Sequence, residues 1–296
     1  MSNVSRGRAT PDPAQPRTPT IQLIGIDLDG TLLDSAGRLP APNAAAVHAA
    51  VEAGIHVAIV TGRSYPFARP AVQALPATIS LIVSSGAVER SMDGSTVMRR
   101  LLDRGAARSV LAATSSHRSH AALVFDRDHA DQVVFESMDW SQPGRKGYWA
   151  RNRALISQSV PLEDALTEDP IQVLFSGPAR DMRGIYESVR GNDARVAVTL
   201  TEYEHRDFSL IDITDGAATK GQALAWRASQ LGLGSDQVMA IGDNFNDLDM
   251  LEYAGTPVVM ANAVHALKDR GWPVTGHQDT CGVAKAIQRY ALQTQV

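Results

Sequence analysis

A single cysteine, Cys281, stands in a chain of 296 residues. An intrachain disulfide is excluded, so nothing calls for an oxidising compartment. No apolar run approaches the ~20 residues that crossing a bilayer takes. Neither sign of charge dominates: 28 Lys and Arg face 32 Asp and Glu, a net charge of −4, with the two signs interleaved. Such a surface gives no electrostatic reason to expect nucleic acid or an anionic membrane as partner. An acidic protein can still bind phosphate, since a bound cation and a few local donors supply the field. Residues 1–20 carry Pro, Ser, Thr and Arg without an apolar stretch. They read as a disordered tail rather than a secretory leader, with an organelle transit peptide as the alternative. The expected location is cytoplasmic.

What is present is an ordinary globular balance, 44% hydrophobic and 20% charged, long enough for one large domain or two moderate ones. Apolar runs at Ile21–Ile26, Ile55–Val60, Ile79–Val83, Gln237–Ile241 and Pro257–Met260 read as strands covered on both faces. An alanine-rich helix is expected over Asn43–Ala53, closed by Gly54. Strand, helix, strand order implies a parallel sheet with right-handed crossovers, an α/β, Rossmann-like, doubly wound core. Ligands of such sheets bind beyond the carboxyl ends of the strands. Polar clusters stand at these ends: Asp27, Thr61-Gly62-Arg63, Ser84-Ser85-Gly86 and Gly242-Asp243.

The middle of the chain alternates instead. Strands are expected at Ala121–Phe125, Gln132–Glu136, Ile171–Ser176, Arg195–Thr201 and Phe208–Ile213, with helices at Asp103–Ser116 and Ala179–Arg190. Half-buried strands with helices suggest an α+β unit inserted into the parallel domain. The expected division is a core of residues 21–86 and 208–296 and an insert of residues 87–207.

The densest motif is Asp27-Leu28-Asp29-Gly30-Thr31-Leu32. In extended chain, residues i and i+2 point to one side, so Asp27 and Asp29 start on one face at the end of a buried strand. Two carboxylates that close repel unless a cation, donors or a proton compensates. A nucleophile beside a metal, followed by an acid and base, meets these demands; an acidic turn with Gly30 at positive φ is the alternative. Gly242-Asp243-Asn244-Phe245-Asn246-Asp247 adds oxygen ligands of the kind Mg²⁺ takes while sharing its sphere with phosphate. Helix capping explains one of these side chains but not four. Thr61 and Gly62 offer a hydroxyl and backbone N–H groups to a phosphoryl oxygen, or an N-cap. Lys220 offers a point charge, or a solvated surface amine.

In this order the motifs DLDGTL, TGR, K-G and GDNFNDLDML resemble the haloacid dehalogenase superfamily, and within it the Cof-type phosphatases, whose large cap follows the third strand. The resemblance runs from about Ile21 to about Ala286. It implies a Mg²⁺-dependent phosphatase in which Asp27 becomes an aspartyl phosphate and Asp29 protonates the leaving oxygen, then activates water. It implies Mg²⁺ on the Asp27 and Asp243 carboxylates and the Asp29 carbonyl. Thr61, Lys220 and Asn246 then contact phosphate, and Asp247 orients metal-bound water or Lys220 from behind. Asp29 favours a phosphatase over the ion pumps and dehalogenases of the superfamily, which lack this second Asp. Ser85-Gly86-Ala87, where relatives carry Asn-Gly-Ala, and the loop Gly276–Gly282 depart from the pattern.

Substrate choice is expected in the insert. Arg145, Lys146, Tyr148 and Trp149 form a basic, aromatic segment that either lines a polyol pocket or is an exposed loop anchored by its Trp; His205 is a further candidate. The expected partner is a small phosphorylated metabolite, sugar phosphates foremost. A phosphomutase or phosphotransferase using the same intermediate, and a non-catalytic sensor of phosphometabolites, are the alternatives.

Overall fold

The computed structural model describes residues 21–127, 130–191, 193–203 and 207–293. The expected tail at residues 1–20 and the candidate His205 lie outside the described residues. The strands are β1 (Leu23–Ile26), β2 (His56–Val60), β3 (Ser80–Val83), β4 (Val88–Ser91), β5 (Thr96–Arg99), β6 (Ala121–Val124), β7 (Val133–Phe135), β8 (Ile156–Gln158), β9 (Gln172–Gly177), β10 (Val196–Tyr203), β11 (Phe208–Asp215), β12 (Val238–Gly242) and β13 (Thr256–Val259). The helices that bear on the site are α1 (Ala41–Glu52), α2 (Tyr65–Ala68), α3 (Arg104–Ala113), α4 (Pro143–Asn152), α5 (Ala179–Val189), α6 (Lys220–Gln230) and α7 (Leu248–Tyr253).

Among the described residues the strands form two sheets, a seven-stranded one in the order β13-β12-β1-β2-β3-β4-β5 and a six-stranded one in the order β10-β11-β9-β6-β7-β8. The first is parallel from β13 to β3, as its unbroken apolar runs require of strands covered on both sides. One face packs on α1 and the C-terminal helix; the other packs on α6 and α7 through Leu224, Ala228, Met250 and Leu251. Asn43, buried in α1, donates to the carbonyl of Leu32 and accepts from the N–H of Ala284, so the segment after β1 is fixed from behind.

The sheets divide the chain at residues other than those expected. The β4–β5 hairpin extends the first sheet antiparallel to β3, although residue 87 was the expected boundary. The residues of β5 are mostly exposed, so no buried run marks it as core. At the other end β11 belongs to the second sheet, between β10 and β9, although the core was expected to resume at residue 208. The second sheet is antiparallel except for β7 and β8, and α3 and α5 cover one face of it through Leu111, Met182 and Ile185. Its opposite face meets the first unit: Ala122, Val124, Phe135 and Met138 share a cluster with the residues around β1 to β3.

Candidate active site

The site is assembled by register. Ile26 pairs with Ile241 and Ile59, and the Asp27 N–H donates to the Ile241 carbonyl at 3.0 Å. The segments after β1, β2 and β12 therefore leave the sheet side by side at its carboxyl edge. Gly30 sits at φ +88°, and a Cβ there would lie 2.3 Å from Asp243 Oδ2. Only glycine lets this loop turn back over Asp243. The next residue, Thr31, donates from Oγ1 to Asp243 Oδ1 at 2.9 Å.

Lys220, first residue of α6, reaches the same point. Its Nζ donates to Asp27 Oδ1 at 2.5 Å and to Asp247 Oδ1 at 2.6 Å, with all three side chains buried. Asp247 Oδ2 accepts the N–H groups of Asp243 (2.9 Å) and Asn244 (3.0 Å). Asp247 is thus spent on holding the loop and the lysine, the role expected of it from behind the ligands. Burial, then the nearby Asp247 charge, pushes the Asp27 carboxyl up to about 7 against the opposing pull of Lys220. Burial, then Asp27 and Asp247, raises Asp243 well above the usual carboxylate range. For Lys220 burial acts against the charge, but Asp247 and Asp27 outweigh it and its ionisation lies above the ordinary lysine value.

Asp27, Asp243 and Asp247 bring carboxylate oxygens within 4.8 Å of one another. With Lys220 among them, three carboxylates and one ammonium leave two uncompensated negative charges in a buried place. A divalent cation cancels that excess, and hard oxygen donors suit Mg²⁺. Since Oδ1 of Asp27 and Oδ1 of Asp243 are taken by Lys220 and Thr31, Oδ2 of each remains for the ion. The residues present therefore fit Mg²⁺. Asn246 Oδ1 is buried with no hydrogen-bond partner among the described residues.

Thr61 follows β2. Its Oγ1 accepts the Arg63 N–H at 3.1 Å, as in a cap, yet the hydroxyl proton stays available to a phosphoryl oxygen. Arg63 grips Asp29 through Nε and Nη2. Gly62 lies against Ser85, where a Cβ would stand 3.4 Å from Oγ. Ser85 in turn donates to Asp212 Oδ2 on β11 at 3.1 Å, and Gln172 donates to Asp212 Oδ1 at 2.9 Å. Gly86, at φ +101°, has the Thr219 carbonyl 2.2 Å from where a Cβ would be, so any side chain there would displace the start of α6. A cleft of about 700 Å³ leads from Lys220 and Asn246 outward between α7 and β10, past Thr199, Glu202 and Arg183.

The core motifs thus converge. Residues 144–149 are not a loop but part of α4. Arg145 is buried and spends its guanidinium on Ser176 Oγ (3.0 Å) and the Asp139 carbonyl (3.2 Å). Trp149 packs edge-on to Phe135, and Tyr148 meets Phe67 of α2 at 5.6 Å between ring centroids. Lys146 is exposed on the same helix. A basic, aromatic composition does not reveal which way a helix turns its side chains, so the exposed-loop alternative gives way to a helix. Sequence reasoning also passed over Thr31, Arg63 and Tyr203. Thr31 and Arg63 stand inside the DLDGTL and TGR motifs; no local signal marks Tyr203.

Residues 24–287 match the family described as haloacid dehalogenase-like hydrolase. Among curated proteins the chain is 27% identical over 278 residues to the pyridoxal phosphate phosphatase YbhA of Escherichia coli (strain K12), covering 92% of this chain and 100% of that protein. It is 28% identical over 297 residues to the chloroplastic endoribonuclease YBEY of Arabidopsis thaliana, where it spans 92% of its own length but only 47% of the relative. Of solved structures, a haloacid dehalogenase-like hydrolase from B. subtilis superposes with a TM-score of 0.75 at 23% identity, covering 90% of this chain and 99% of that one. At that identity the likeness speaks for the fold. The family match spans nearly the whole described chain, and with it the four strand-end motifs: this chain belongs to the haloacid dehalogenase-like hydrolases.

Proposed function

We propose that the protein is a Mg²⁺-dependent phosphatase of small phosphorylated metabolites, sugar phosphates among them, working through an aspartyl phosphate on Asp27. One arrangement carries this: Asp27, Lys220 and Asp243 meet at the carboxyl edge of the sheet, with Asp29 two residues beyond. The relative named as a pyridoxal phosphate phosphatase, matched over its full length, supports the same reaction class.

Asp27 is the nucleophile. A carboxylate oxygen forms a bond to phosphorus as the ester P–O bond breaks, and the leaving oxygen takes a proton from Asp29. Water then attacks the acyl phosphate, giving its proton to Asp29 and releasing phosphate from Asp27. Asp27, Asp243 and the Asp29 carbonyl would hold Mg²⁺, which when bound would supply charge neutralisation at the phosphoryl oxygens. Lys220 favours the ionised form of Asp27, opposing the burial and the Asp247 charge that push its carboxyl up. Thr61 and Gly62 on one side and Asn246 on the other hold the phosphoryl oxygens in line.

Arg63 takes both oxygens of Asp29 in the resting site, which suits the carboxylate that receives a proton from water. For Asp29 to act first as acid, Arg63 exchanges an Asp29 oxygen for a phosphoryl oxygen of the arriving ester, and the freed carboxylate takes up the proton that the ester monoanion or solvent carries in. The second sheet serves as the cap, its β10 end tied to the catalytic loop by Asn244 Nδ2 donating to the Glu202 carbonyl at 2.9 Å. A cytoplasmic location belongs to the same reading.

The test is phosphate release from p-nitrophenyl phosphate and a panel of sugar phosphates, with and without Mg²⁺. Steady release without an added acceptor, lost in Asp27→Asn, is expected. Transfer only to a sugar acceptor means a mutase; silence on every ester means a sensor.

A further inference from the structure

Tyr203 is the last residue of β10, the edge strand of the second sheet that reaches the catalytic loop. Asn244, in the loop that carries Asp243 and Asp247, bonds the carbonyl of the preceding residue, Glu202. That bond pins the Glu202–Tyr203 peptide to the site from the cap side. The residue is half-buried, and the carboxylates of Asp29, Asp27 and Asp212 stand near enough to act on its hydroxyl. Burial first and these charges next push its ionisation above the ordinary phenol range, so it remains a neutral hydrogen-bond donor. Arg63 feels the same hydroxyl from the core side. Behind the ring stands Phe208, its register partner on β11, stacked at 6.3 Å between centroids with 27° between planes. Phe208 is itself backed by α4, where a Cβ on Gly144 would lie 2.3 Å from its ring. The pair is therefore braced from the cap interior and faces the acid/base Asp29.

Resting on the phosphatase reading, we propose that Tyr203 is the specificity-determining residue of this site. Its ring, braced by Phe208, is the wall against which the leaving group lies, and it selects esters whose leaving group is a flat unsaturated ring. The ester oxygen that Asp29 protonates carries the rest of the substrate away from phosphorus and toward the cap. An aromatic face there attracts another flat ring by offset stacking and offers nothing comparable to a short open chain. Glu202 is paired with Arg183 and faces the helix side, so the ring of Tyr203 makes this contact without a competing charge from its neighbour.

Calorimetric binding of phenylphosphonate and of ethylphosphonate, each with Mg²⁺, to the wild-type protein, Tyr203→Ala and Tyr203→Phe tests this without requiring turnover. The wild-type protein is expected to prefer phenylphosphonate. Tyr203→Ala should weaken phenylphosphonate about tenfold, the scale of one lost stacking contact, and move ethylphosphonate less than about twofold. Tyr203→Phe should retain the preference. Equal losses for both probes, no loss for either, or no preference in the wild-type protein overturns the assignment. Phosphate release from phenyl phosphate, followed in parallel, judges the phosphatase reading separately: selective binding without turnover defeats the hydrolase and leaves the ring's role standing. If neither probe binds, both fall.

Discussion

Arg63 and Asp29 are joined twice, Nε to Oδ2 at 2.7 Å and Nη2 to Oδ1 at 2.5 Å, across 34 positions of sequence. The residue that closes the phosphate-binding turn after β2 thereby sets the carboxylate assigned to proton transfer after β1. A fork of this kind is specific to guanidinium, and a lysine cannot reproduce it.

Proton transfer by Asp29 matters most where the leaving group is a poor one. Asp29→Asn should lower kcat for sugar phosphates by about 10²–10⁴-fold and affect p-nitrophenyl phosphate, whose leaving group departs unassisted, much less. Arg63→Lys should show the same leaving-group bias at smaller amplitude. Steady-state kinetics on both esters checks this, and equal losses on the two contradict it.

Lys220 is nearly inaccessible between two buried carboxylates. Lys220→Met leaves Asp27 and Asp247 facing each other without a cation, and should cost about 3–5 kcal/mol of folding stability along with activity. Denaturant unfolding measures the loss, and Mg²⁺ should restore part of it by entering the same cluster.

Mg²⁺ binding should itself stabilise the wild-type protein. With free ion at a hundred times its dissociation constant, the gain is about 2.7 kcal/mol, read as a rise in melting temperature that a chelator reverses. In Asp243→Asn, which removes one of the two carboxylates left for the ion, the rise should largely vanish.

Asp212 gives a pH dependence. Burial pushes its carboxyl up to about 6, with Ser85 and Lys220 pulling the other way. Because the folded-state value lies above the unfolded one, the folded protein holds this proton where the unfolded chain has lost it. The contribution is therefore full below pH 3.8 and is lost as pH rises through about 6. The stability of wild type minus that of Asp212→Asn should fall by about 2 kcal/mol between pH 4 and 7. Unfolding curves across that range provide the measurement, and a flat difference contradicts it.

Much of this fold and site was legible in the sequence, for a physical reason. Strands covered on both faces must be apolar throughout, so β1, β2, β3 and β12 announce themselves, and in a parallel sheet their ends meet whatever the distance along the chain. Asp27, Thr61 and Asp243 could be placed together on that ground alone. The β4–β5 hairpin was missed because β4 buries Glu89 and Arg90 and β5 is mostly exposed, so neither shows such a run. The end of the insert was misplaced because β11 alternates like its cap neighbours yet leads straight into the core helix α6. The contacts Arg63–Asp29 and Ser85–Asp212 depend on how loops and cap close on one another. The partners of Arg145, Ser176 and the Asp139 carbonyl, were not legible, because burial and not composition decides what a guanidinium binds.

The covalent step is the centre of the account, and trapping it is the most direct test. The protein is mixed with a phosphate ester and Mg²⁺, quenched in acid within a turnover, digested and mapped by mass spectrometry. A phosphoryl group on Asp27, absent in Asp27→Asn and absent without Mg²⁺, is the predicted result. Phosphate release that continues in Asp27→Asn, or a phosphoryl group on any other residue, contradicts it.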